Sequence, residues 1–112
     1  MARGADHPAR VADSLLQIEI ELRRIGAWET DPPPSEALQS TKPFAVDTLE
    51  FTQWLQFVFV SRMKVMIENG HPLPAVSGMA PMAEEHFRGR AESGHGLIRE
   101  LAEMDRLLSG QS

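Results

Sequence analysis

No cysteine occurs in the 112 residues. That excludes a disulfide framework, a cysteine-ligated zinc ribbon and any thiol nucleophile, and it fits a reducing compartment. Apolar runs of membrane length are missing too. A span needs about 20 predominantly apolar residues, and the longest candidate, Phe51 to Ile67, is broken by Gln53, Gln56, Ser61, Arg62 and Lys64. The opening residues lack the apolar core of a secretory signal, so a cytoplasmic protein is expected. Basic charge is scarce: the net charge is −5, and between residues 26 and 47 Glu29, Asp31, Glu36 and Asp47 face Lys42 alone. Phosphate backbones are bound by clustered Lys and Arg, so direct, unaided nucleic-acid binding is not expected.

Hydrophobic residues at 42% and charged residues at 24% are those of a folded globular chain. The length allows one core, which places a single domain over residues 8–109 behind a flexible tail of residues 1–7. From Pro8, Val11, Leu15, Ile18, Leu22 and Ile25 recur at spacings of four and three, the stripe of a helix lying on a core. Glu19 and Arg23 form an i,i+4 pair, and Gly26 is placed to end the helix in a left-handed conformation. A connection from Ala27 to Asp47 follows, with Pro32, Pro33 and Pro34 excluding a helix interior. Connections of this length are uncommon in compact domains and are often functional. Trp28 and Phe44 are its expected anchors.

Asp47 and Thr48 are good N-caps, and Asp47 with Glu50 loosely matches a capping box. The second helix should run from there to Asn69-Gly70, ahead of Pro72. Its first half, Trp54 to Val60, is apolar on nearly every face, the mark of a helix covered on several sides. Taken as an α-helix, it puts Phe51, Leu55, Phe59 and Arg62 along one side and Trp54, Val58 and Met66 along another. A third, less regular helix is expected over residues 75–88, using Val76, Met79, Met82, Ala83 and Phe87. The last begins between Glu92 and Leu97, with Leu97, Leu101, Met104 and Leu108 on its inner row; Gly94 and Gly96 each cost about 1 kcal/mol against Ala inside a helix. Four helices with a long first crossover read as an all-α, four-helix up-and-down bundle with a Pro-rich connection between helices 1 and 2.

Ser40-Thr41, Pro43-Phe44, Asp47-Thr48, Glu50, Trp54-Leu55-Gln56, Arg62-Met63 and Pro72-Leu73-Pro74 together give a specific pattern. In these residues the chain resembles the YqcC-like proteins, a bacterial family of unknown function. The resemblance implies a small cytoplasmic four-helix bundle and, through genomic neighbourhood, an association with tRNA pseudouridine synthase C. It brings no catalytic residues. The family's usual proline before Arg-Met is Ser61 here, which favours a straight second helix.

No residue set has the spacing of a catalytic site. Asp47 and Glu50 could work as acid and base if buried together, but capping a helix accounts for both. The histidines, His7, His71, His86 and His95, show no HExxH spacing, so no metal site is read. Ser93 with His95 lacks an oxyanion hole, and Gly94-x-Gly96 lacks the strand a dinucleotide fold requires. A pseudouridine synthase needs a catalytic Asp in a mostly β domain, for which this chain is too short and too helical. Arg62 is expected to meet a carboxylate of the connection or an anionic group. The leading reading is a non-enzymatic interaction module without a cofactor. Phe44, Asp47, Glu50, Trp54 and Arg62 would bind a protein partner, a tRNA pseudouridine synthase being the one the resemblance names. The alternatives are a small-molecule binder or minor enzyme with a pocket near Trp54 and Arg62, and a homodimer using the spare apolar surface.

Overall fold

The computed structural model describes residues 3–90 and 94–109, with side chains from His7 onward. In chain order it contains α1 (Arg3–Arg24), two short 3-10 turns (Ala37–Gln39 and Pro43–Ala45), α2 (Phe51–Trp54), a π-helical stretch (Leu55–Val60), α3 (Ser61–Glu68), α4 (Met79–Phe87) and α5 (His95–Leu108). The middle three follow without a break and make one helix, so the described residues form four helices and no strand. None of these helices is long and apolar enough to cross a membrane.

The α1 stripe is used as its spacing dictates. Val11, Leu15, Ile18 and Leu22 are buried, and Ile25 packs half-buried against the same core. The helix starts at Arg3, upstream of the start read at Pro8. Pro8 thus lies inside the helix, in its second turn, where it lacks the N–H that would bond one turn back. His7 is tied down as well: its Nε2 lies 2.8 Å from the Leu107 carbonyl oxygen at the far end of α5. At the other end the Ala27 N–H reaches the Leu22 carbonyl (2.8 Å) and the Gly26 N–H the Arg23 carbonyl (3.1 Å). With Gly26 at φ +75°, this is a Schellman stop.

The second helix departs from the reading of a regular helix. Its buried residues fall in two adjacent rows, Phe51, Leu55, Phe59 and Met63, and Thr52, Gln56 and Val60, each spaced by four. In an α-helix four residues overshoot a turn by about 40°, so three such steps would turn Met63 roughly 120° away from Phe51. The π stretch has more residues per turn, because its hydrogen bonds reach five residues along, and it brings the rows back over the core. Met63 therefore follows Phe59 inward, and Arg62, expected on that side, is exposed. At the end of the stretch the Ser61 hydroxyl donates to the Gln56 carbonyl (3.1 Å) while its N–H turns to Val58.

α5 packs against both α1 and α4. Leu97, Leu101 and Met104 are fully buried and Leu108 nearly so. A Cβ at Gly96 would meet the carboxylate of Glu21 on α1, the far end of a flexible side chain that can move aside. Glu92 and Ser93 lie outside the described residues. α4 starts at Met79, later than residue 75, because Gly78 sits at φ +85°. Its exposed N–H groups are met by Asp105 of α5, whose two carboxylate oxygens accept from Met79 (3.0 Å) and Ala80 (2.9 Å).

Glu19 links α1 to α3, accepting from Arg23 (3.0 Å) and meeting Lys64 at 3.4 Å. Partial burial pushes its carboxyl up, but the Arg23 hydrogen bond and the Lys64 charge outweigh this and hold it below the ordinary value. A carboxyl lowered on folding stabilises the protein above the ordinary glutamate range, and that contribution is lost as pH falls through it. The stability gap between the wild type and Glu19→Gln, from urea denaturation, should therefore shrink between neutral pH and the acid side of that range. Removing the α4 cap by Asp105→Ala should cost about 1–2 kcal/mol in the same assay.

Candidate functional site

The connection between α1 and α2 is a strap held at both ends. Near its start the Arg23 guanidinium covers Trp28 at 4.8 Å from the ring centroid. One residue on, the buried Gln56 amide grips the Glu29 backbone, its Oε1 accepting the N–H (2.9 Å) and its Nε2 donating to the carbonyl (2.7 Å). A side-chain amide so placed imitates a strand neighbour and satisfies donor and acceptor together. Toward the far end the Thr48 hydroxyl donates to the Ala37 carbonyl (2.7 Å), and the Ser40 hydroxyl donates to Asp47 (2.5 Å).

Asp47 and Thr48 therefore fasten the strap instead of capping the helix. The N-cap is Glu50, whose N–H is accepted by the Gln53 side chain at 2.9 Å. The expected Asp47–Glu50 pairing is not made: Asp47 bonds to Ser40, and Glu50 faces the other way, toward α4 and the turn after it.

Between the two ends the chain passes an elbow at Pro43–Ala45, where Phe44 (φ 57°) and Ala45 (φ 50°) are both left-handed. Residues with a Cβ adopt this geometry at about 1–3 kcal/mol each, and such strain gathers at functional sites. The elbow lays Phe44 edge-on to Trp54, centroids 4.9 Å apart, and 6.2 Å from Phe51. Trp54 is stacked with Phe51 (6.0 Å) and Phe59 (5.7 Å), and Phe51 leads on to His86 (6.2 Å) and Phe87 beyond it. One continuous aromatic band thus joins the elbow, the second helix and α4.

Glu50 lies at the edge of this band. Its carboxylate is 3.4 Å from Arg90 Nη2 and 3.8 Å from His86 Nδ1, and Arg90 Nε also donates to the His86 carbonyl (2.6 Å). Two hollows open beside it, and Glu50 and His86 border both. One, of about 250 Å³, has walls of Phe44, Val46, Leu49, Phe51 and Met82. The other, of about 350 Å³, is more polar and is lined by Thr52, Phe87 and Arg90 among others.

Of the five residues singled out from the sequence, Phe44 and Trp54 touch, and Glu50 stands at the rim of the same region. Asp47 is committed to the strap. Arg62 is exposed and has no hydrogen bond or ion pair among the described residues; the π stretch has turned it away from the strap it was expected to meet. Neither hollow includes Trp54 or Arg62. Gln56, His86 and Arg90 escaped the sequence reading. For Gln56 the signal was present: a lone amide in an apolar run, spaced by four from Thr52 and Val60. Among the described residues no three His, Asp or Glu side chains converge to hold a metal ion.

The family model DUF446, described as tRNA pseudouridine synthase C, matches residues 10–107. YqcC of Escherichia coli (strain K12), an uncharacterized protein, is 33% identical over 100 residues, which cover 89% of this chain and 92% of that one. An uncharacterized protein of Haemophilus influenzae is 39% identical over 74 residues, 66% of this chain and 70% of its own length. A tRNA pseudouridine synthase C of Pectobacterium carotovorum is 36% identical over 81 residues, 72% of this chain but 22% of that protein. The solution structure of E. coli YqcC superposes with a TM-score of 0.78 at 31% identity, covering 95% of this chain and 91% of that one.

Replacing Gln56 by Leu leaves the Glu29 N–H and carbonyl without their partner. The expected loss is about 1–3 kcal/mol, with amide hydrogen exchange accelerated at residues 28–30 and unchanged in α5. Equal acceleration in both regions would mean that the clamp holds the whole core and not the strap.

Proposed function

The chain belongs to the YqcC-like family, DUF446, and from that premise we propose that it is a non-catalytic interaction module, accessory to a tRNA-modifying pseudouridine synthase. One observation carries this reading. A region similar to this chain makes up 22% of a longer protein named tRNA pseudouridine synthase C, while in YqcC the match spans nearly the whole protein. A region found both alone and joined to an enzyme has reason to meet that enzyme when the two are separate, since a tether only replaces binding by a high effective concentration. On this reading the catalysis lies in the part of the longer protein that this chain does not match.

The physical features of this chain agree. Its regular elements are helical, with no strand among the described residues. A net charge of −5 opposes tRNA phosphates, so the module addresses the enzyme and leaves the nucleic acid to it. Its docking surface is the strap and the second helix, where Phe44 and Trp54 are half-exposed and Val46 is 57% exposed. This reading places the protein in the cytoplasm. A homodimer would use the same apolar surface, and light scattering of the isolated chain separates the two.

The test is to mix the purified chain with a separately expressed pseudouridine synthase of this type, to measure binding by calorimetry, and to assay pseudouridine in tRNA with and without the chain. A complex and a changed modification rate are expected. Phe44→Ala with Trp54→Ala should weaken binding at least tenfold while the circular dichroism stays helical. No complex at any concentration would end the accessory reading; an unaffected complex in the folded double variant would move the interface elsewhere.

A further inference from the structure

We propose that the hollow between the elbow and α4 receives one large apolar side chain from a short basic segment of the partner. The proposal rests on the interaction-module reading and names the chemistry of what docks. At about 250 Å³ the hollow is smaller than the roughly 300–1,000 Å³ of small-molecule sites, a size that suits a single side chain. Its apolar wall is Phe44, Leu49, Phe51 and Met82, with exposed Val46 beside them, and Glu50, Glu85 and His86 complete the lining.

Two consecutive left-handed residues, Phe44 and Ala45, turn the backbone so that Phe44 packs inward on Trp54 while Val46 stays exposed beside the hollow. Backbone strain of this kind gathers at binding sites.

Two carboxylates at the rim, Glu50 and Glu85, and the acidic strap leading to the elbow select the occupant. The strap and helix cap from residue 27 to 50 hold Glu29, Asp31, Glu36, Asp47 and Glu50 against Lys42, and Glu85 adds a carboxylate at the rim. Arg88 and Arg90 lie on the α4 side, paired with Glu85 and Glu50 respectively. Asp31 and Glu36 are exposed and have no ion pair among the described residues. A second copy would set this acidic strap against itself, and a nucleic acid would be repelled. A basic segment is complementary, and an enzyme that binds tRNA has Lys and Arg to offer.

The experiment selects phage-displayed random 12-residue peptides on the full chain. The expected consensus is a bulky apolar residue flanked by Lys or Arg, with affinity falling as salt rises. Val46→Lys and, separately, Glu85→Lys should each weaken the selected peptides at least tenfold at unchanged melting temperature; both positions are well exposed, so the fold tolerates them. An acidic or purely apolar consensus overturns the proposal, as does binding that ignores both variants or a dimer that Val46→Lys dissolves. The synthase titration separates this failure from that of the accessory reading. A complex indifferent to Val46→Lys removes the hollow and keeps the module, whereas basic peptides selected without any synthase complex keep the hollow and remove the synthase.

Discussion

Everything on the strap side of the molecule depends on six residues, Leu55–Val60, that wind more slowly than an α-helix. They keep two four-spaced rows over one core, which an unbroken α-helix of this length cannot do. The same turn places Gln56 where its side chain reaches Glu29 and its carbonyl meets the Ser61 hydroxyl. One residue thus stands at the junction of the core, the helix irregularity and the strap. Without the π stretch Arg62 would follow Phe59 inward, bringing a charge into the core that would have to be paired.

Several helix ends are joined by long-range contacts, in addition to the local stops at Gly26 and Glu50. Asp105 closes the start of α4 from α5, His7 meets the end of α5 from α1, and Glu50 reaches from the start of α2 to Arg90 beyond α4. Each serves backbone or charged groups that a local residue would ordinarily serve. Because those partners lie far apart in sequence, the ends of different helices are bound to form and to fray together.

Much of this was legible beforehand. The inner rows of α1 and α5, the stop at Gly26 and the end of the second helix near Asn69 follow from periodicity and turn chemistry, which are local. Phe44 was expected to anchor the connection, because an aromatic in a long connection has few apolar places to go; that it does so on Trp54 is what the structure adds. What stayed hidden is non-local or breaks a period. Asp105 looks like a surface acid on α5 until α4 is laid against it. Asp47 is as good an N-cap as Glu50 until Ser40 and Ala37 claim the loop, and Arg62 reads as inward only if the helix keeps 3.6 residues per turn.

Ser61 marks the place where the helical ladder has already been broken. Its N–H has left the regular i−4 position for Val58, and its hydroxyl serves the Gln56 carbonyl that the wide turn exposes. A proline inside a regular helix is costly because it removes that N–H and collides with the carbonyl one turn back. At this position the N–H that a proline would lack is still in use, bonded to Val58 instead of the regular i−4 carbonyl. The serine here therefore serves the irregular path twice, with its N–H toward Val58 and its hydroxyl toward Gln56.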